Sequence, residues 1–268
     1  MAETAPEIQS EDEVLYSVAD HVATITLNRE QFQNTISGVM LDAITEFMLQ
    51  ADRDEDVRCI VLTGTGRFFC AGLDLRSGKV GSSSGGGFSN LDLRATPPTV
   101  MHNLDTPTIC ALNGSAAGYG MDMALGCDIR VMSEEAKLAA AFTARGIVPE
   151  SGGTWILPRL LGWSKAAELI FTGRTLKADE CLEMGLVSHV VPAGDVLTRS
   201  IDLAKEIAGN APLAVQASKR MMRMGMNENF NDHVHHVFLQ LLPLFKTEDF
   251  REGMASFMEK RKADFKGR

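Results

Sequence analysis

The stretch Ile109-Cys-Ala-Leu-Asn-Gly-Ser-Ala-Ala-Gly-Tyr-Gly-Met-Asp122, closing on Gly126-Cys-Asp128, decides how this chain is read. Residues Thr108–Leu112 form a short, apolar, partly β-branched run that predicts a buried strand. Glycines stand where that strand ends, and small residues then predict a helix running to Gly126. Glycine permits a sharp turn and leaves backbone N–H groups unscreened by side chains. The first N–H groups of a helix are unpaired and electropositive, so such a turn can receive negative charge. Taken alone, it could equally serve packing.

Toward the N-terminus, Arg67-Phe-Phe-Cys-Ala-Gly-Leu-Asp-Leu75 has the same design, with glycine behind a strand predicted at Cys59–Thr63. Val22–Asn28 alternates in β-branched style and predicts another strand. Asn34–Asp52 predicts a helix, with Ile36, Val39, Met40, Ile44, Phe47 and Met48 recurring at three- and four-residue steps on one face. Toward the C-terminus, Ile129–Ser133 predicts a strand. Helical patterns then take over at Lys165–Phe171, Asp179–Met184, Val196–Ala208, Leu213–Met224, Asp232–Leu241 and Glu248–Lys262. No fixed-period repeat is visible. Strand and helix alternate first and helices dominate later, which predicts an α/β fold with a helical C-terminal region. Between the two glycine turns, Ser77–Pro98 includes a glycine- and serine-rich run at Gly78–Gly87, read as a flexible lid because of the motifs on either side.

The 268 residues are 45% hydrophobic and 23% charged, sufficient for a sizeable core. A formal charge of −9 argues against a nucleic-acid partner or a polybasic membrane surface, both of which want clustered Lys and Arg. The five cysteines are scattered, with no C-x-x-C pair, and predict buried free thiols in a reducing compartment. Met1–Val14 is polar and acidic rather than leader-like, and no apolar run is long enough to span a bilayer. The expected location is the cytoplasm.

Several familiar motifs fail. Gly64-Thr-Gly66 follows a strand, but Phe69 replaces the third glycine of a dinucleotide fingerprint and no helix start follows. A nucleophile elbow and a phosphate-binding P-loop are both missing. His233, His235 and His236 cluster on a predicted helix, but with no convincing carboxylate or cysteine partner they read as surface or packing residues. His102 reads as structural, and no metal is expected.

The two glycine turns, in this order, are far more specific together than apart. So are Ile25-Thr-Leu-Asn-Arg29, Gly152-Gly-Thr154, Leu157-Pro-Arg-Leu-Leu-Gly162, Glu183-Met-Gly-Leu-Val187, Arg251-Glu-Gly-Met254 and Phe257-Met-Glu-Lys-Arg-Lys262. With these, the chain resembles the crotonase (enoyl-CoA hydratase/isomerase) superfamily from Val14 to the C-terminus. The resemblance implies a spiral of repeated ββα units, with a tail at 1–13, a core at 14–195 and a helical trimerisation region at 196–268. It also implies a homotrimer or a dimer of trimers. The implied ligand is an acyl-CoA, and no cofactor is expected beyond that coenzyme A moiety.

By motif position, the resemblance assigns an oxyanion hole to the backbone N–H groups of Leu73 and Tyr119. Ala71, Asp74 and Leu75 fall at coenzyme A contacts. Phe257 and Lys260 do so too, often from a neighbouring subunit. The two glutamates of the family's hydratases fall at Asp122 and Phe142, and a phenyl ring can neither activate nor protonate water. Glu150, in Val-Pro-Glu-Ser-Gly-Gly, stands where isomerases of the family carry an acid. A dehalogenase of the family has its nucleophile there, but that enzyme's His base falls at Ala95.

The resulting expectation is that Glu150 is the principal acid/base of a 1,3-proton shift, with Asp122 secondary. Burial against Phe142 and Trp155 would raise the Glu150 pKa toward neutrality. Two functional alternatives stay open: hydration through Asp122, and a catalytically silent acyl-CoA-binding protein. Glu150 could also be an ordinary loop residue and Asp122 a helix cap.

Overall fold

The computed structural model describes residues 13–74 and 96–268. Strands β1 (Val14–Ala19) and β2 (Val22–Leu27) form an antiparallel hairpin whose two turn residues, Asp20 and His21, both have positive φ. Helix α1 (Gly38–Arg53) starts four residues later than the periodicity predicts. Its N-cap is Ser37, whose Oγ accepts the Met40 N–H at 3.1 Å. Asn34 instead has a φ of 52° and a fully buried side chain. That side chain accepts the Arg29 N–H and donates to the carbonyls of Thr65 and Phe68. Asparagine tolerates this left-handed conformation, so Asn34 joins two loops rather than opening a helix.

The chain continues through β3 (Cys59–Gly64), β4 (Phe68–Cys70), α2 (Pro97–Asn103), β5 (Thr108–Leu112), β6 (Ser115–Ala117), α3 (Tyr119–Gly126), β7 (Ile129–Ser133) and β8 (Lys137–Ala139). Then come α4 (Gly153–Leu161), α5 (Trp163–Thr172), β9 (Thr175–Lys177), α6 (Ala178–Glu183), β10 (His189–Val191) and the C-terminal helices α7 (Val196–Ala208), α8 (Pro212–Gly225), α9 (Phe230–Leu244) and α10 (Glu248–Glu259). A six-stranded sheet runs in the order β1-β2-β3-β5-β7-β10, and a four-stranded sheet in the order β4-β6-β8-β9. The pairs β3/β4, β5/β6 and β7/β8 each send their first strand to the large sheet and their second to the small one. A helix follows each pair. This is the expected spiral of ββα turns.

The large sheet is buried on both faces, so its strands read as continuous apolar runs. In β3, Ile60 and Leu62 enter the main core while Cys59 and Val61 face the other way. Helix α7 covers that second face, with Val196 and Ala204 against Cys59, Val61, Ile109, Ala111 and Val131. The sequence reading grouped α7 with the C-terminal region; in the fold it closes the sheet. Helix α8 is tied to the loop between α2 and β5 by ion pairs of Arg220 and Arg223 with Asp105. The segment ending at Pro98, read as loop, runs into the first turn of α2, which begins at Pro97. The glycine- and serine-rich run lies outside the described residues.

Candidate active site

The site is built where β4 ends. Gly72 adopts a φ of 111°, which an L side chain would resist. Ile36 and Leu73 form an isolated parallel bridge in which the Ile36 N–H donates to the Gly72 carbonyl and the Asp74 N–H donates to the Ile36 carbonyl, both at 2.9 Å. These bonds use the groups on either side of Leu73. Its own N–H has no backbone partner among the described residues. The loop is clamped from below, because Asp74 is buried and pairs with Arg29 Nη2 at 2.9 Å. Arg29 Nη1 in turn donates to the Thr35 carbonyl.

The second amide comes from the start of α3. Gly118 is the N-cap, with φ 53° and ψ −123°, and its N–H is pinned to the Ala139 carbonyl of β8 at 3.0 Å. Asp122 makes the first helical bond, to Gly118, so the Tyr119 N–H lies outside the ladder. A Cβ on Gly120 would lie 2.3 Å from the Cys70 carbonyl oxygen. Glycine therefore lets α3 press against the end of β4, which brings Leu73 and Tyr119 onto the wall of one cavity of about 740 Å³.

Across that cavity stand Phe142 and Glu150, on the loop that leads from β8 into α4. Glu150 is the one carboxylate on the wall among the described residues, and its buried Oε2 has no hydrogen-bond partner. Burial raises its pKa. Asp122 is fully buried and lies behind the wall rather than on it. Its Oδ2 accepts the N–H groups of Ser151 and Gly153, each at 3.3 Å, and its Oδ1 has no partner. Burial first, and then the charge of Glu150, push the Asp122 pKa up to about 7 against those two backbone bonds. Trp155, expected to bury Glu150, stacks edge-on against His102 and under the Arg159 guanidinium instead. The apolar neighbour on the cavity wall is Phe142, itself 1% exposed.

Two fixed amides converging on a cavity that also holds a carboxyl can stabilise an oxyanion while a proton moves beside it. The family model described as enoyl-CoA hydratase/isomerase matches residues 17–268. The chain belongs to the enoyl-CoA hydratase/isomerase family.

A Bacillus subtilis relative that carries both activities in its name is 37% identical over 261 residues, covering 96% of this chain and 99% of the relative. A 1,2-epoxyphenylacetyl-CoA isomerase of Escherichia coli is 32% identical over 258 residues, covering 95% and 98%. The crystal structure of an enoyl-CoA hydratase from Bacillus anthracis superposes with a TM-score of 0.88 at 34% identity, covering 96% of this chain and all of that one. The protein is thus an enzyme of this family with the crotonase fold.

The remaining positions singled out from sequence are dispersed. Ala71 lies on the cavity wall. Asp74 faces Arg29 rather than the cavity. Phe257 is 78% exposed near the end of α10, Lys260 caps that helix, and neither reaches the wall. Leu75 and Ala95 lie outside the described residues. His233 and His236 do have a carboxylate partner, which sequence reading did not find: Glu228, on the turn between α8 and α9, meets their Nδ1 atoms at 3.1 and 2.9 Å. Arg29, which holds the loop that carries Leu73, and Asn34, which ties the neighbouring loops together, were not singled out as site residues. Arg29's signal was only the Leu-Asn-Arg match at the end of β2, and Asn34 had none.

Proposed function

We propose that this family member is an isomerase-like enzyme that moves one proton along an enolised acyl-CoA, with Glu150 as its acid/base. The observation that carries this reading is the placement of the two acids: Glu150 faces the cavity, whereas Asp122 is sealed behind it. Phe142 fills the remaining position with an apolar ring.

In the proposed reaction the thioester carbonyl oxygen accepts the N–H groups of Leu73 and Tyr119. The Glu150 carboxylate takes a proton from the α-carbon of a 3-enoyl thioester, and the C–H electron pair passes into a dienolate. Negative charge collects on the oxygen, where donors fixed in advance are each worth about 3 kcal/mol. The Glu150 carboxyl then returns the proton to the γ-carbon, and the dienolate collapses to the 2-enoyl thioester. A raised pKa suits a group that must act first as base and then as acid. One carboxyl is enough for this shift.

Hydration is the second reading. It is favoured by the effect of the Glu150 charge on Asp122, since two nearby carboxyls with unpartnered oxygens could orient a water between them. Relatives carry hydratase and isomerase names alike. A 3-enoyl-CoA incubated in deuterated water separates the readings. Double-bond migration with deuterium at the α- or γ-carbon supports isomerisation. Formation of a 3-hydroxyacyl thioester from a 2-enoyl substrate, without migration, would replace it. Tight binding with neither exchange nor turnover would leave only an acyl-CoA-binding role.

The coenzyme A moiety is assigned to Ala71, Leu75, Phe257 and Lys260, the last two reaching a neighbour's site in a trimer or a dimer of trimers; Asp74 is held by Arg29 instead. Exposed Phe230, Phe238, Leu242 and Met254 on α9 and α10 support such an assembly. Among the described residues no helix is long and apolar enough to cross a membrane. A cytoplasmic location is part of the proposal.

A further inference from the structure

The cavity wall is chemically asymmetric. Most of it is backbone, glycine, alanine and apolar side chain, with Glu150 as its acid. Among the described residues it carries one cation, Arg145, on the same loop as Glu150 and five residues before it. That guanidinium is held rather than loose. Its Nη1 donates to the Ala141 carbonyl at 2.7 Å, and the turn that carries it is closed by Gly146 at a φ of 73°. The ion pairs found among the described residues do not include Arg145. The Nε–Nη2 edge of the fork is thus left for a ligand. Beside it the exposed Ile147 and Val148 offer apolar contact, at 49% and 67% exposure.

A planar fork with one edge anchored and the other open matches a carboxylate, which it can hold through two parallel hydrogen bonds. A mostly apolar cavity whose wall carries such a fork suits a chain of methylenes whose far end is anionic.

We infer that Arg145 makes this enzyme selective for acyl-CoA thioesters whose acyl chain bears a carboxylate. The inference rests on the acyl-CoA reading of the site but not on which reaction follows. The chemistry that supplies the substrate would then be the thioesterification of a dicarboxylic acid at one end.

Binding of unreactive saturated thioesters tests this without turnover. Calorimetry would compare glutaryl-, adipyl- and suberyl-CoA with pentanoyl-, hexanoyl- and octanoyl-CoA, in the wild type and in Arg145→Gln. The expected result is that one carboxy-terminated chain binds wild-type enzyme roughly tenfold or more tighter than its methyl-terminated partner, and that Arg145→Gln brings this ratio close to one. A wild-type ratio near one, or a ratio that Arg145→Gln leaves unchanged, overturns the inference. An equal rise in Kd for both members of each pair also overturns it, and assigns the guanidinium to the coenzyme phosphates. Failure of every thioester to bind overturns the acyl-CoA reading along with it. Arg145→Lys keeps the charge but loses the fork, and is expected to recover only part of the ratio.

Discussion

Asp74 closes an ion pair on Arg29 at 2.9 Å, with side-chain exposures of 6% and 12%, one residue beyond Leu73 on the cavity wall. Arg29 also meets Glu13 at 3.1 Å and holds the Thr35 carbonyl, so one guanidinium ties β2, the segment before α1 and the oxyanion loop together.

Removing the partner of a buried charge is costly, so Asp74→Ala is expected to destabilise the fold by about 3–5 kcal/mol. The milder Asp74→Asn should lower kcat by loosening Leu73, with little effect on coenzyme A affinity. A weaker Kd for coenzyme A with unchanged kcat would point instead to the ligand contact that sequence assigned to Asp74. Denaturant unfolding and titration calorimetry read the two quantities separately.

Glu150→Gln keeps the shape of the side chain and removes the base. Turnover is expected to fall by roughly 10²–10⁴-fold while thioester binding is retained. Steady-state rates near those of the wild type would remove Glu150 from the chemistry. In the wild type the base must be ionised to take the first proton, so the acid limb of the rate profile should follow the pKa of Glu150, raised by burial, rather than that of an ordinary carboxylate.

The Asp122 carboxyl is raised to about 7 in the folded chain, from the ordinary value of 3.8. Between those values the folded state binds more protons than the unfolded one, so stability is present at low pH and falls as pH rises through this window. Above about 7 the full cost of a buried charge is felt, up to roughly 4 kcal/mol from the size of the shift. Asp122→Asn cannot ionise. Its Tm should therefore exceed that of the wild type at pH 8 and lose most of that advantage at pH 4, as scanning calorimetry would show. Its activity should drop less than that of Glu150→Gln, and total inactivation would reverse the ranking of the two acids.

A methyl group on Gly120 would meet backbone, not a movable side chain, at 2.3 Å. Gly120→Ala must push α3 away from Cys70 and carry the Tyr119 amide with it. A shift of that kind is expected to cost about 10²–10³ in kcat, the scale of one lost oxyanion donor. Gly209→Ala is the control, because a Cβ there meets only ordinary contacts at 3.4 and 3.5 Å. Equal activity in the two variants would show that the close approach does not set the site.

The strands β2, β3, β5 and β7 were legible because buried strands of five or six residues carry an unmistakable apolar signature. Helices α5 to α10 were legible through their three- and four-residue steps, to within a few residues at each end. The three-residue strands β4, β6, β8, β9 and β10 were not, since so few residues hold no period. They exist because the spiral offers each of them a partner. The start of α1 was misplaced for a related reason. The apolar steps continue through Ile36, but the long-range bridge from Ile36 to Leu73 holds that segment extended.

By itself, the sequence determined which backbone positions are free of side-chain obstruction and which acids are present. Glycine and carboxylate are properties of single residues, readable in order. The two glycine turns, and the family resemblance they helped to carry, were enough to name Glu150, Asp122 and Phe142 as candidates. Only the tertiary structure decided how the acids divide, with Glu150 on the cavity wall and Asp122 behind it under two backbone N–H groups. It also decided that Trp155 belongs to His102 and Arg159, and that Asp74 belongs to Arg29. These outcomes depend on which surfaces the spiral presses together, and burial and pairing are properties of contacts between distant segments.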